Sequence, residues 1–298
     1  MNRKPVFRFG VNSSPRSATN VVEFAKKLEA SGFSTLLTPD GPSLGPAVFP
    51  VLTYAASVTT TLHIGTYAIA NDLHHPFHLA LNAATLQTLS GGRFELGLGA
   101  GRPGMDAEYD ALGKTIDSRG KRLARLESAA TIVQAVLRGE SVTEQGADYV
   151  VTNAKLPDWL TETAPSPVMI AGTGPRLLDM ATRTADVVAI GATPFDTWDG
   201  LRAQFDRIAE LSRNYDVKLE INMTVSGAGN VLGAWFARMP QEQRDALLKA
   251  EAPALLWGSV DAMIEGIHQR YEQFGVTYFV IPDDLVDIVT PVVKRFAA

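Results

Sequence analysis

The stretch from Leu62 to Gly101, LHIGTYAIANDLHHPFHLALNAATLQTLSGGRFELGLGAG, constrains the fold most. Leu62 to Ile69 is a short apolar run rich in β-branched residues, which reads as a buried strand. Pro76 suits the first turn of a helix, and Leu79, Leu81, Ala84, Leu86 and Leu89 follow at roughly helical spacing. Gly91 and Gly92 stop that helix, and Arg93 to Gly99 is a second apolar run. The strands show no polar alternation, so both of their faces must be covered. That predicts a parallel sheet wrapped by helices.

The same alternation runs through the chain. Strands are predicted at Val6–Val11, Ser34–Thr38, Val168–Ala171, Asp186–Ile190, Leu219–Val225 and Val276–Ile281. Helices are predicted at Ala18–Ala30, from about Ala47 to Thr60, at Ser118–Leu137, from Pro175 through Thr184, and at Asp196–Arg213, Ser259–Phe274 and Leu285–Phe296. With the first unit this gives eight strands, each followed by a helix. In 298 residues that fits a (β/α)8 TIM barrel, one domain spanning 1–298, better than an open doubly wound sheet. Irregular pieces follow strands four and seven. A loose hairpin turning near Gly146 lies between helix four and strand five, and the piece at Ser226–Trp257 reads as mainly helical around Gln241–Glu251.

With 46% hydrophobic residues a sizeable core is available. The net charge of -5 argues against nucleic acid as a main partner. There is no cysteine, which excludes disulfides and thiolate catalysis and fits a cytoplasmic protein. No segment reaches the roughly 20 apolar residues of a membrane span.

In such a barrel the functional loops follow the C-terminal ends of the strands. That rule selects Asn12–Arg16, Asp40–Gly45, Ala70–Pro76, Gly99–Asp110, Gly172–Arg176, Gly191–Pro194 and the stretch after Val225. At Gly172-Thr173-Gly174 a strand ends in two glycines just before a helix opens at Pro175. Free N–H groups and the helix dipole make this a candidate phosphate site, with the Thr173 hydroxyl and Arg176 as further donors; an ordinary tight turn is the alternative. Gly99-Ala-Gly-Arg-Pro-Gly104 has the spacing of a dinucleotide-binding loop, but Pro103-Gly104 begins no good helix. It reads better as a glycine-lined strand end against which a flat ring could lie. Glu108 and Tyr109 either face a substrate or belong to a solvated loop. His74, His75 and His78 lack metal-ligand spacing, so no metal is expected. His75 reads as a hydrogen-bonding group at a helix start and His74 as a possible cofactor contact. Asp40, between Pro39 and Gly41, is either turn chemistry or a carboxylate near a cofactor ring.

These residues resemble the luciferase-like monooxygenase superfamily, and in particular its actinobacterial F420-dependent oxidoreductases. The resemblance extends through AEYDALG, RLARLESA, GADYVV, PVMIAGTGPRLLDMATRTADVVAI and FGVTYFVIP. It implies a barrel that binds F420, or alternatively FMN, at the strand ends and acts on a small-molecule substrate, commonly as a homodimer. By matching position, Gly172, Thr173 and Gly174 would hold the cofactor phosphate, Gly99, Ala100 and Gly101 would border the ring, Asp40 would lie near it and Asn71 would line the pocket. The resemblance also places a non-prolyl cis peptide at Tyr67-Ala68, behind the ring. Two departures stand out. Many relatives carry Asp-His where this chain has Asp40-Gly41, so proton transfer would fall to another residue, His74 or Glu108. An aromatic commonly follows the G-x-G of relatives, where this chain has Arg102. A polyanionic cofactor tail would call on Arg102, Arg176, Lys114 or Lys121. Three functions follow: F420-dependent hydride transfer to or from a small organic substrate, FMNH2-dependent insertion of one oxygen atom from O2, or a barrel that only binds a ligand.

Overall fold

The structure is a computed structural model and describes residues 5–297 except 16, 103, 238 and 250. Arg16 and Pro103, both in loops selected above, lie outside the described residues.

Eight parallel strands close into a barrel: β1 (Arg8–Asn12), β2 (Thr35–Thr38), β3 (His63–Thr66), β4 (Phe94–Gly99), β5 (Val168–Ala171), β6 (Val187–Ile190), β7 (Glu220–Thr224) and β8 (Tyr278–Pro282). Each pairs with its neighbours in sequence, and β8 returns to β1 with Arg8 opposite Tyr278. The flanking helices are α1 (Ala18–Ala30), α2 (Val48–Ser57), α3 (Pro76–Leu89), α4 (Arg119–Leu137), α5 (Pro175–Thr184), α6 (Trp198–Tyr215), α7 (Val260–Phe274) and α8 (Val286–Ala297). Ser17, Ser118, Thr197 and Ser259 cap α1, α4, α6 and α7, each accepting from a first-turn N–H.

Strand parity sorts the apolar residues into two cores. Phe9, Val11, Leu36, Ile64, Phe94, Leu96, Leu98, Val168, Ile170, Val188 and Ile190 face outward and pack with the helices. Leu37, Met169, Val187, Ala189, Tyr278 and Val280 form a separate cluster inside the barrel, with Tyr67 and Ala171 against it.

Two elements differ from the sequence reading. The run Leu62–Ile69 is not one strand. It breaks after Thr66 at a cis Tyr67-Ala68 peptide and resumes as Ile69–Ala70, which pairs with Leu98 and Gly99. The segment after β7 is not mainly helical. Besides helices at Ala234–Ala237 and Gln241–Lys249 it forms a three-stranded sheet from Gly227–Gly229, Val231–Leu232 and Leu255–Trp257. A Cβ on Gly227 would sit 2.9 Å from both the Val231 carbonyl and Leu255, so the close pairing depends on a residue without one. The excursion after β4 holds a short helix, Asp106–Ala111. The expected hairpin is present as Val142–Gln145 paired with Val150–Ala154.

Candidate active site at the barrel mouth

A cavity of about 250 Å³ opens at the C-terminal ends of β2 to β5. Its floor and walls are Tyr67, Ala68, Ile69, Ala70, Gly99, Ala100, Gly101 and Ala171, and Asp40 sits at its edge. Leu44, Arg102 and Met105 cover it from the loops. The small residues follow from strand parity: Gly99 and Ala171 point inward where longer side chains would fill the mouth. A Cβ added to Gly99 would stand 3.6 Å from Ala68 Cβ, an ordinary contact, so a side chain fits there without a clash and anything longer takes space from the cavity.

Tyr67 lies across the barrel. Its hydroxyl reaches β7 on the opposite wall, 2.8 Å from Thr224 Oγ1 and 3.3 Å from Asn222 Oδ1. Burial pushes its phenol up to about 12, against the Thr224 hydrogen bond, so it stays protonated at neutral pH.

Asp40 and His74 form a pair, with His74 Nε2 at 2.7 Å from Asp40 Oδ2. The Ala70 N–H donates to the same oxygen at 3.1 Å. The Asp40 side chain is 10% exposed and His74 31%, so the pair connects the cavity edge to solvent. His75 caps α3 by accepting from the Phe77 N–H at 3.3 Å, and His78 stacks edge-on against it. The three histidines do not converge.

Glu108 turns away from the cavity. It accepts from the Ser43 hydroxyl and pairs with Arg102 Nη2 at 3.1 Å, clamping the loop after β4 onto the loop after β2. The Ser43 hydrogen bond, helped by Arg102, holds its carboxyl below the usual range. Tyr109 is buried and donates to Asp72. Asn71 also lies away from the cavity: it is fully buried, and its amide donates to the Tyr149 hydroxyl.

The cavity ends at Ala171, where the glycine turn begins. Gly172 and Gly174 have φ of 151° and 107°, which favour glycine. The Gly172 N–H is used by the Ala189 carbonyl at 3.0 Å, so the sheet claims one of the amides expected to be free. The first-turn amides of α5 remain, and Gly174 is its N-cap. Two arginines that sequence reasoning did not select stand here. Arg119 Nη2 donates to the Thr173 carbonyl at 3.2 Å and lies 3.4 Å from where a Gly174 Cβ would be. Arg122 Nη1 donates to the Ala100 carbonyl at 2.9 Å. They are i and i+3 on α4 and share a face, the one signal that could have found them. Of the four basic residues that the sequence suggests for the tail, Arg102 covers the cavity and the other three lie elsewhere. Arg176 is exposed in an outer groove with Arg183 and Arg207, Lys114 donates to the Asp72 carbonyl, and Lys121 pairs on the surface with Asp117.

A closed barrel with a small-residue mouth beside a glycine-ended fifth strand defines a class. The chain belongs to the luciferase-like monooxygenase family, whose model matches residues 5–231. An F420-dependent glucose-6-phosphate dehydrogenase of Beutenbergia cavernae is 34% identical over 142 residues, 47% of this chain and 41% of that one. A 5,10-methylenetetrahydromethanopterin reductase of Archaeoglobus fulgidus is 29% identical over 188 residues, 62% of this chain and 53% of that one. The matches thus span about half the length of these relatives. Among solved structures, the coenzyme F420 dependent tetrahydromethanopterin reductase of Methanopyrus kandleri has the same fold, with a TM-score of 0.77 at 19% identity over 97% of this chain and 99% of that one.

Proposed function

We propose that this chain is an F420-dependent oxidoreductase that moves a hydride between the deazaflavin and the carbon of a small alcohol or carbonyl substrate. The single observation that carries this reading is the Asp40–His74 pair at the edge of a glycine-walled cavity. Oxidising an alcohol removes a hydride from carbon and a proton from oxygen, and the protein must supply a place for that proton.

The residues present fit the cofactor. A flat ring would lie against the Gly99 wall, the cis Tyr67-Ala68 peptide and the Tyr67 floor. An anionic tail finds the Thr173 hydroxyl, the Gly174 turn, the first amides of α5, and Arg119 and Arg122. When bound, F420 supplies a two-electron hydride carrier. Asp40 accepts the substrate's hydroxyl proton, with Oδ2 held by His74 and the Ala70 amide and Oδ1 left to receive it. His74, about one-third exposed, orients and stabilises that carboxylate through Oδ2, and the proton leaves Oδ1 to water at the cavity edge. In the reducing direction the same groups return it. Asp40 is therefore the proton-transfer residue with His74 as the partner that orients it, and Glu108 acts in catalysis only by keeping the two loops closed over the cavity. Leu44 and Met105 exclude water from the ring.

A second reading, oxygen insertion with FMNH2, draws on the same covered cavity, whose apolar roof suits a site that shuts out water. We also propose that the whole chain works as one barrel domain, as a homodimer, in the cytoplasm. No helix of the described residues is long and apolar enough to cross a membrane.

Titrating the protein separately with F420 and with reduced FMN, followed by fluorescence, tests the reading. Saturable F420 binding that Thr173→Glu abolishes without unfolding is expected. Binding of reduced FMN alone favours the second reading, and binding of neither leaves a barrel without redox function.

A further inference from the structure

The turn that leads into His74 is held by groups from outside the barrel strands. His74 follows a single 3-10 turn, Asn71–Leu73, and its N–H donates to the Asn71 carbonyl at 3.1 Å. Short polar turns commonly lie at the surface, where water completes their hydrogen bonds. This one does not: Asn71 is 0% exposed and Asp72 2%.

Buried groups of the turn meet donors and acceptors from the inserted segments and from α4, while Asn71 Oδ1 and Asp72 Oδ1 stay without a partner among the described residues. Asn71 Nδ2 donates to the Tyr149 hydroxyl at 3.1 Å, from the hairpin between α4 and β5. Asp72 Oδ2 accepts from the Tyr109 hydroxyl at 2.7 Å, from the short helix after β4. The same oxygen pairs with Arg125 Nη1 of α4 at 2.8 Å. Lys114 Nζ donates to the Asp72 carbonyl at 2.7 Å. Arg125 is in turn gripped by Asp117 at 2.6 Å and by Asp148, the neighbour of Tyr149, at 2.9 Å. Burial pushes the Tyr109 and Tyr149 phenols up to about 12, so both hydroxyls keep their protons through the neutral range.

A connection between a strand and a helix needs none of this. An exposed turn would join β3 to α3 equally well, without burying a carboxylate that requires its own arginine. What the arrangement adds is rigidity at one end of the Asp40–His74 contact. The Ala70 amide, just before the turn, holds the other end. We propose that the excursion after β4 and the hairpin at Val142–Ala154 together brace the Asn71–His74 turn, with Tyr149 and Arg125 as positioning residues for proton transfer. This rests on the reading of Asp40 and His74 as the proton-transfer pair. It gives the hairpin a role away from the cavity that the barrel alone does not explain.

The test uses the full chain labelled with 15N-histidine. An imidazole N–H held on a carboxylate gives a slowly exchanging downfield proton signal, assigned to His74 by its loss in His74→Gln. Tyr149→Phe removes one oxygen from the brace. Arg125→Lys keeps the charge but cannot bridge three carboxylates, and it serves if the first variant does not fold. In either variant the His74 signal is expected to broaden or vanish, and amide exchange at 71–75 to rise at least tenfold. With F420 bound, kcat is expected to fall about tenfold to a hundredfold at unchanged KM and unchanged F420 affinity. A lower melting temperature with the His74 signal intact would overturn the brace, because a merely structural hairpin would behave that way. The two readings fail separately. If His74→Gln leaves hydride transfer unchanged, the proton-transfer reading is wrong, while the His74 signal in Tyr149→Phe still decides whether the brace exists.

Discussion

The base and the mouth of the barrel are lined by the same eight strands yet are built in opposite ways. At the base Arg8, Thr35, His63, Glu95 and Glu220 point inward and fill the interior with charge. Arg8 pairs with Glu95 and, at 2.7 Å, with Glu220, and its guanidinium lies 4.1 Å over the Tyr278 ring. His63 Nδ1 stands 3.2 Å from Glu95, and the Tyr278 hydroxyl donates to Glu95 at 3.3 Å. At the mouth the inward positions are Gly99, Ala171 and Tyr67, and space remains between them. The contrast shows where this chain places cohesion and where it leaves room: paired charges close one end so that small residues can open the other.

The sharpest way to break the comparison is at the base. Arg8→Ala would leave Glu95 buried without its cation, so a loss of about 3–5 kcal/mol in unfolding free energy is expected, read by denaturant titration. F420 affinity below the new melting temperature should not change. A mouth substitution should do the reverse. Gly99→Val places its Cβ at ordinary contact distance in a strand that favours β-branched residues, so stability should move by no more than about 1 kcal/mol. The added methyls take the space of the ring, and affinity for F420 should fall about a hundredfold, near 2.7 kcal/mol. If Gly99→Val unfolded the protein while Arg8→Ala abolished binding, the assignment of the two ends would be reversed.

The smallest effect concerns acid. Glu29 of α1 accepts from the Thr60, Thr61 and Leu62 amides just before β3. Partial burial pulls its carboxyl upward, but these hydrogen bonds outweigh that and hold it at about 2. A carboxyl lowered in the folded state contributes stability above its unfolded pKa and loses it as pH falls through the folded one. Glu29→Gln should therefore melt lower than the parent at neutral pH, and the gap should close between about pH 5 and pH 2. Glu95 adds to the same trend: burial would raise it, yet the His63 hydrogen bond and Arg8 keep it low. Glu220 opposes it, because burial outweighs Arg8 and raises its carboxyl. No matching acid dependence is expected from a mouth variant such as Gly99→Val.

The frame was legible because alternation of short apolar runs with amphipathic stretches fixes a barrel. The helices Ala18–Ala30 and Pro76–Leu89 and the strand Val168–Ala171 have the bounds read from sequence. The cis Tyr67-Ala68 peptide stands where the family resemblance placed it. What sequence did not show is set by contacts between distant segments. Asn71 turns away from the cavity because Tyr149, far along the chain, offers it a hydroxyl. Glu108 turns to Ser43 and Arg102 instead of the cavity. Lys121 was selected although Arg119 and Arg122 face the strand ends, since their difference is one of helix face and not of composition. The small sheet at Gly227–Trp257 was missed because its strands are two or three residues long, below any periodicity.

The most direct measurement is a crystal structure of the protein soaked with F420. The ring is expected against Gly99 and the Tyr67-Ala68 peptide with Asp40 at its edge, and the phosphate on Thr173 and the first amides of α5. A ring bound anywhere else, or a mouth that stays empty while the phosphate turn binds nothing, would contradict the claim that this end of the barrel was left open for a redox cofactor.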